Sequence, residues 1–121
     1  MNIHAIDHVQ LTMPAGDEDK ARAFYVDVLG FEEIAKPPQL AARGGAWFEA
    51  GLVQVHLGVE TDFRPARKAH PAFLVRDLQA LIKKMQAAGC EVDRSQPPLD
   101  GYERIHVYDP FGNRIELMQK L

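Results

Sequence analysis

Apolar residues recur at helical spacing in two stretches of the chain, which predicts two amphipathic helices. The first is predicted over residues 17–29, with Asp17 as its N-cap and Gly30 as its stop signal. The second is predicted over residues 77–88, with Asp77 as its N-cap and Gly89 as its stop signal. The predicted apolar faces are Ala21, Phe24, Tyr25, Val28 and Leu29 in the first helix and Leu78, Leu81, Ile82 and Met85 in the second.

The remaining segments are short, rich in β-forming residues and bounded by turn residues, which is typical of strands. In the first half, strands are predicted over residues 6–13, 31–35, 46–50 and 53–59. In the second half, they are predicted over residues 72–75, 91–94, 104–108 and 114–119. The last two flank the sequence Asp-Pro-Phe-Gly-Asn at residues 109–113, whose residue types favour a tight turn.

The order of elements is strand, helix and three strands, given twice, and this indicates an internal repeat. The spacing from Asp17 to Asp77 is nearly the same as the spacing from Gly30 to Gly89, so the two predicted helices begin and end at matching places. We therefore predict an α+β fold of two βαβββ modules. Module one would span residues 1–60 and module two residues 69–121, within a single domain of 121 residues.

Four metal-ligand side chains fall at matching places in the two modules. His8 and His70 lie at or near the first strand of each module, and His56 and Glu116 lie in the last strand of each. A pseudo-twofold axis between the modules would bring all four together. Imidazole and carboxylate bind borderline divalent cations such as Zn²⁺, Ni²⁺, Mn²⁺, Fe²⁺ or Co²⁺. Each residue alone is more often structural or solvated, so the prediction rests on their coincidence in the repeat.

Composition narrows the class of protein. The formal net charge is −3, which argues against a nucleic-acid partner. No apolar run approaches the roughly 18 residues of a membrane span, and no signal peptide is visible. The single cysteine, Cys90, excludes an internal disulfide and has no acid–base partner beside it in the sequence, so packing is its expected role. These features suit the cytoplasm.

Further polar and aromatic residues are candidates for substrate binding. Strand alternation places Gln10 on the face of His8, and it places Tyr102, Arg104 and His106 on one face of their strand. His106 could act as an acid–base group, donate a hydrogen bond to substrate or only line a pocket, and Arg104 could pair with an anion. Arg67 belongs to a basic segment that is either an anion attractor or a solvated linker, and Trp47 either faces a cavity or belongs to the core.

At these residues the sequence resembles the glyoxalase, bleomycin-resistance and ring-cleaving dioxygenase group, the vicinal-oxygen-chelate superfamily. The resemblance implies a cupped mixed sheet around a central metal cavity, with the helices outside, and commonly a homodimer. It also implies metal ligands at His8, His70 and Glu116, whereas bacterial glyoxalase I has Glu where His56 stands here. The resemblance rests on the segments Asp7-His8-Val9, Ala23-Phe24-Tyr25, Val28-Leu29-Gly30-Phe31, Val55-His56-Leu57, Ala69-His70-Pro71 and 109–117.

The function that the resemblance implies is that of a metal-dependent lyase or isomerase of the glyoxalase type. It would act on a small α-oxygenated, anionic substrate, with Glu116 or His106 as the base. A thiol transferase that inactivates an antibiotic is the first alternative, although Gln10 stands where those enzymes have a hydroxyl residue. A ring-cleaving dioxygenase, a bleomycin-resistance-like binding protein without catalysis and a purely structural metal site are the others.

Overall fold

The computed structural model describes residues 1–121, and the chain divides into two compact units. Unit 1 comprises residues Met1–Arg64 and unit 2 comprises residues Pro65–Leu121. Each unit has its own sheet. None of the helices combines the length and apolar character that crossing a membrane requires.

Unit 1 builds a four-stranded mixed sheet. The strands are β1 (Val9–Met13), β2 (Glu32–Ile34), β3 (Ala46–Ala50) and β4 (Val53–Val59), in the spatial order β1-β4-β3-β2. The outer strand β1 runs parallel to β4, and the other pairs are antiparallel. The helical segment consists of α1 (Glu18–Arg22) and a π-helical continuation (Ala23–Val28), and a short helix α2 (Pro38–Ala41) follows β2.

Aromatic side chains form much of the core of unit 1. Phe24 and Tyr25 of the π-helical segment are buried, and the Tyr25 ring stacks on Phe48 of β3 at 5.3 Å between centroids. The segment ends at Gly30, whose φ of +84° a residue with a side chain rarely adopts. This turn lets the N–H of Phe31 reach back to the carbonyl of Tyr25.

Unit 2 repeats the same topology. Its elements are β5 (Ala72–Leu74), α3 (Leu78–Ala87), β6 (Val92–Asp93), β7 (Tyr102–Tyr108) and β8 (Arg114–Lys120), with the strand order β5-β8-β7-β6. Strand β5 is parallel to β8, and the other pairs are antiparallel. The Asp77 carboxylate caps α3 by accepting the N–H of Ala80 at 3.0 Å. The buried face of α3 carries Leu78, Ile82 and Met85.

The predicted α+β class and the two βαβββ modules are confirmed, because the two units share one strand order and one pattern of directions. That both modules form a single domain stays a prediction.

The strand pairings show which residues of the two units are equivalent. His56 on β4 lies opposite Gln10 on one side and Trp47 on the other. Glu116 on β8 lies opposite Ala72 and His106 in the same way.

Several element boundaries differ from the prediction. Strand β1 begins at Val9 rather than at residue 6, so His8 precedes the strand; Ile6 is 80% exposed and has no apolar surface to cover it. Strand β5 begins at Ala72 as predicted, after Pro71, which has no N–H to donate to the ladder, but it ends at Leu74 rather than at residue 75. Strand β7 starts at Tyr102, earlier than predicted, and the short helix α2 was not predicted.

The turn between β7 and β8 is held by two buried polar side chains. Asp109 Oδ1 accepts the N–H groups of Phe111 and Asn113, both at 2.9 Å. Asn113 Nδ2 donates to Asp109 Oδ2 at 3.0 Å, and its Oδ1 accepts the N–H of Ala66 at 3.1 Å. The turn therefore fixes the strand β8 and ties it to the segment that begins unit 2.

We expect Asn113→Ala to lower the free energy of unfolding by about 2 kcal/mol or more, because it removes the buried hydrogen bonds that the Asn113 side chain forms with the Ala66 N–H and with Asp109 Oδ2. Urea denaturation measures the change. The exposed residue Asn2 provides the control, since Asn2→Ala should change stability by less than about 0.5 kcal/mol. A loss of stability in Asn113→Ala no larger than in the control would contradict this role of the turn.

Candidate functional site in unit 2

Three potential metal ligands converge on one face of the second sheet. Glu116 on β8 and His106 on β7 are direct cross-strand partners, so their side chains leave the sheet on the same side. His70 lies two positions before Ala72, which is the β5 partner of Glu116, and an offset of two preserves the face. One ligand atom from each of the three residues lies within 4.8 Å of the other two.

Glu116 is buried, with 7% of its surface exposed, and both of its carboxylate oxygens have partners. Oε1 lies 3.1 Å from His70 Nε2, and Oε2 accepts a hydrogen bond from an Arg104 NH group at 3.1 Å. Burial by itself would raise the pKa of Glu116, but the hydrogen bonds to His70 and Arg104 outweigh it and hold the pKa below its usual value. The carboxylate is therefore ionised at neutral pH.

The orientation of His70 suits a metal ligand. Its Nδ1 lies 2.8 Å from the Lys68 carbonyl oxygen, which can only accept, so Nδ1 carries a proton. Nε2 either donates its N–H to Glu116 Oε1, in the hydrogen bond that lowers the pKa of Glu116, or, without that proton, offers its lone pair to a cation beside the carboxylate. A metal-bound imidazole usually donates its other N–H to a carbonyl or carboxylate, which is what His70 does.

His106 completes the cluster and is 1% exposed. Its Nε2 lies 3.7 Å from Glu116 Oε1, and its Nδ1 is buried without a hydrogen-bond partner. Burial and the positive charge of Arg114 lower the pKa of His106, although Glu116 acts in the opposite direction. The ring is therefore neutral at neutral pH and can accept a proton or donate a lone pair to a cation.

In unit 1, the predicted ligands His8 and His56 lie together with Trp47. The rings of Trp47 and His56 stack at 3.8 Å with 2° between their planes, and His8 stacks on His56 at 4.1 Å. The Asp7 carboxylate lies 2.9 Å from His8 Nδ1, which leaves Nε2 as the lone pair of the neutral ring. Burial, followed by the charge of His8, lowers the pKa of the buried His56. Because the two rings are nearly parallel, one must turn before both nitrogens can bind a single ion at about 2.0–2.1 Å.

The strand pairings place different chemistry at equivalent positions of the two units. His8 corresponds to His70, and in both residues Nδ1 lies beside an oxygen, whereas Nε2 of His70 also lies beside Glu116 Oε1. His56 corresponds to Glu116. The third equivalence, between Trp47 and His106, follows from the antiparallel pairing and explains why His106 joins the second cluster.

The sequence assigned His106 an acid–base or lining role near the site and did not place it among the potential metal ligands, where the structure groups it with His70 and Glu116. The signal that could have revealed it is the cross-strand pairing of His106 with Glu116 across the turn at residues 109–113. Arg114 was not singled out either, although it stands two positions before Glu116 and so shares its face of the sheet.

The other predicted site residues have distinct surroundings. Arg104 is engaged by Glu116 and by the Pro97 carbonyl oxygen, which accepts from its second NH group at 2.7 Å. The Arg67 guanidinium lies 5.4 Å from the centre of the Tyr108 ring. Gln10 is exposed on β1 and its side chain covers Gly58, where a Cβ would lie 2.5 Å from Gln10 Nε2. Tyr102 is half-buried at the start of β7.

The sequence matches a known superfamily over most of its length. The family described as Glyoxalase/Bleomycin resistance protein/Dioxygenase superfamily matches residues 5–117. The chain therefore belongs to this superfamily, and the resemblance drawn from its motifs is confirmed. No curated protein matches the sequence.

Several solved structures are similar to this chain. A glyoxalase family protein from Bacillus anthracis is 46% identical, with a TM-score of 0.91 over 100% of this chain and 98% of that chain. An antibiotic binding protein from Streptomyces sp. CB03234 is 25% identical, with a TM-score of 0.72 over 98% of this chain and 100% of that chain. The fosfomycin resistance protein FosX from Listeria monocytogenes is 20% identical, with a TM-score of 0.75 over 98% and 93% of the two chains, and supports the fold alone.

We expect the pKa of Glu116 in the metal-free protein to lie below the ordinary value of 4.5 and to rise in Arg104→Gln. A carboxyl group with a lowered pKa stabilises the fold above the unfolded-state value and loses that contribution as the pH falls below it. Carboxyl ¹³C NMR against pH measures the pKa directly. The exposed residue Arg76 supplies the control, and an equal change in Arg76→Gln, or none in Arg104→Gln, would contradict the assigned contact.

Proposed function

We propose that the protein is a metal-dependent lyase or isomerase of the glyoxalase type that acts on a small α-oxygenated, anionic substrate. The observation that carries the proposal is the contact between His70 and Glu116. A histidine whose Nδ1 proton is committed to the Lys68 carbonyl directs its Nε2 at a buried, ionised carboxylate 3.1 Å away. This arrangement suits a divalent cation at the cluster, with His106 close by.

His70 and Glu116 are the proposed ligands from unit 2, and His8 and His56 remain proposed ligands from unit 1. Imidazole and carboxylate ligands would favour a borderline ion such as zinc, nickel, manganese, iron or cobalt. When bound, such an ion polarises substrate oxygens and stabilises negative charge that develops on them. We further propose that the protein acts as a homodimer, as the resemblance implies.

We assign the remaining roles, those of the general base and of the group that keeps Glu116 ionised, to other residues of the cluster. Arg104 keeps Glu116 ionised and occupies Oε2, which makes Glu116 a weak base and leaves only Oε1 for a cation. His106 is neutral at neutral pH and is therefore the better candidate for the base. It would take a proton from the carbon next to the polarised carbonyl and return it to a neighbouring atom of the substrate.

The second candidate function is ligand binding without turnover. The stack of Trp47, His56 and His8 offers a flat aromatic surface, and Trp47 is only half-buried. Such a surface suits a planar aromatic ligand, and one similar structure is an antibiotic binding protein. This function needs no metal, so it predicts binding that is unchanged by a chelator.

We expect near-stoichiometric divalent metal in protein purified without a chelator, and a loss of most of it in Glu116→Gln and His70→Ala, because each change removes a ligand. Elemental analysis gives the metal content, and circular dichroism checks that the variants fold. His4→Ala is the matched control, since His4 is exposed and lies outside the cluster. Wild-type protein that takes up none of the five ions, even on reconstitution, would refute the metal-dependent function.

The same proteins test the role of His106. In D₂O, the metal-loaded wild type should exchange the proton on the carbon next to the carbonyl of an α-hydroxy ketone or α-keto acid, as observed by ¹H NMR. His106→Gln should keep its metal and slow the exchange by about a hundredfold or more. Exchange at the wild-type rate in His106→Gln would exclude it as the base.

A further inference from the structure

The face of the second sheet that carries the cluster also carries more positive than negative charge. Arg104, His106 and Tyr108 alternate along β7, and Arg114 and Glu116 alternate along β8. Tyr108 and Arg114 are direct cross-strand partners, as are His106 and Glu116, so all five leave the sheet on one side. The hydrophobic residues between them, Ile105, Val107, Ile115 and Leu117, are buried on the opposite side.

Only one of the guanidinium groups at this face is neutralised by a carboxylate. Arg104 forms an ion pair with Glu116. Neither Arg67 nor Arg114 forms an ion pair with any acidic residue of the chain. The Nε of Arg114 is moreover buried and has no hydrogen-bond partner. A buried donor without a partner is costly, and this cost would be relieved by an oxygen acceptor brought in by a ligand.

Arg67 and Arg114 are held close to the same tyrosine. The Arg67 guanidinium lies 5.4 Å from the centre of the Tyr108 ring. The Ala66 carbonyl accepts the N–H of Arg114 at 2.9 Å, which fixes the segment before Arg67 beside the start of β8. A Cβ on Gly112 would lie 4.0 Å from an Arg67 NH group, so this side chain rests on the turn between β7 and β8.

We infer that Arg67, Tyr108 and Arg114 form an oxyanion subsite that takes a doubly charged, phosphate-like group. Two guanidinium groups without a carboxylate partner match a dianion better than a single negative charge, and each can bind two oxygens through its planar fork. The subsite lies on the same face of the second sheet as His106 and Glu116, at the next cross-strand pair of that face toward the turn at residues 109–113. The inference rests on the proposed function in one respect only, since it names the charged group of that substrate.

The alternative is a structural role, in which Arg67 only pins its segment on Tyr108 and Arg114 is solvated by water. Loss of either guanidinium would then change the stability of the protein without changing its affinity for anions. Measuring anion binding and unfolding on the same variants therefore separates the two roles.

The test uses chelator-treated, metal-free protein and inorganic phosphate as the probe, followed by ³¹P NMR and calorimetry at low and high salt. We expect saturable binding by the wild type that weakens with salt and exceeds the binding of acetate. Arg114→Gln and Arg67→Gln should each weaken binding at least about tenfold. Arg67→Lys should weaken it less, because it keeps the charge and loses only the fork.

Arg76→Gln is the control, because Arg76 is an exposed arginine of the same unit between β5 and α3. It should bind the probe as the wild type does. No binding by the wild type, unchanged binding in Arg114→Gln and Arg67→Gln, or an equal loss in Arg76→Gln would each overturn the subsite. His70→Ala removes a proposed metal ligand and should bind phosphate as the wild type does. The phosphate result can therefore be interpreted even if the protein binds no metal.

Discussion

The buried carboxylate of Glu116 determines which side chains must lie around it in the second sheet. Removing an ionised group from water is costly unless charged or hydrogen-bonding partners replace the lost hydration. Glu116 obtains those partners from two directions, with Arg104 on one oxygen and His70 on the other. Both partners depend on strand pairing, since Arg104 stands two positions before the β7 residue opposite Glu116, and His70 stands two positions before the β5 residue opposite it.

The repeat shows how one topology supports two chemistries. In unit 1, the positions equivalent to Glu116 and His106 hold His56 and Trp47, which stack as flat rings. In unit 2, the same positions hold an ionised carboxylate and a buried imidazole, flanked by arginines. The first arrangement is one of aromatic packing, whereas the second is a cluster of ionised and polar side chains. The two polar clusters therefore occupy equivalent strand positions in the two units, and no single sequence motif marks them.

Much of this organisation could be predicted from the sequence, because it follows from periodicity. Helical spacing located the two long helical segments, and the repeat of the element pattern singled out His56 with Glu116. The neighbours of Glu116 were less accessible, because cross-strand pairing depends on the conformation of the turn at residues 109–113. Arg104 shows the limit most clearly: its charge suggested an external anion, yet the carboxylate that it contacts is Glu116 of the protein itself.

The proposed function depends more than anything else on whether His70 Nε2 binds a metal ion beside Glu116. Imidazole ¹⁵N NMR during a zinc titration of metal-free protein tests it most directly, with His4 as an internal reference. We predict that stoichiometric zinc shifts the Nε2 resonance of His70, while Nδ1 keeps the proton that it donates to the Lys68 carbonyl oxygen. A His70 ring protonated on Nε2, with resonances that zinc leaves in place, would contradict it.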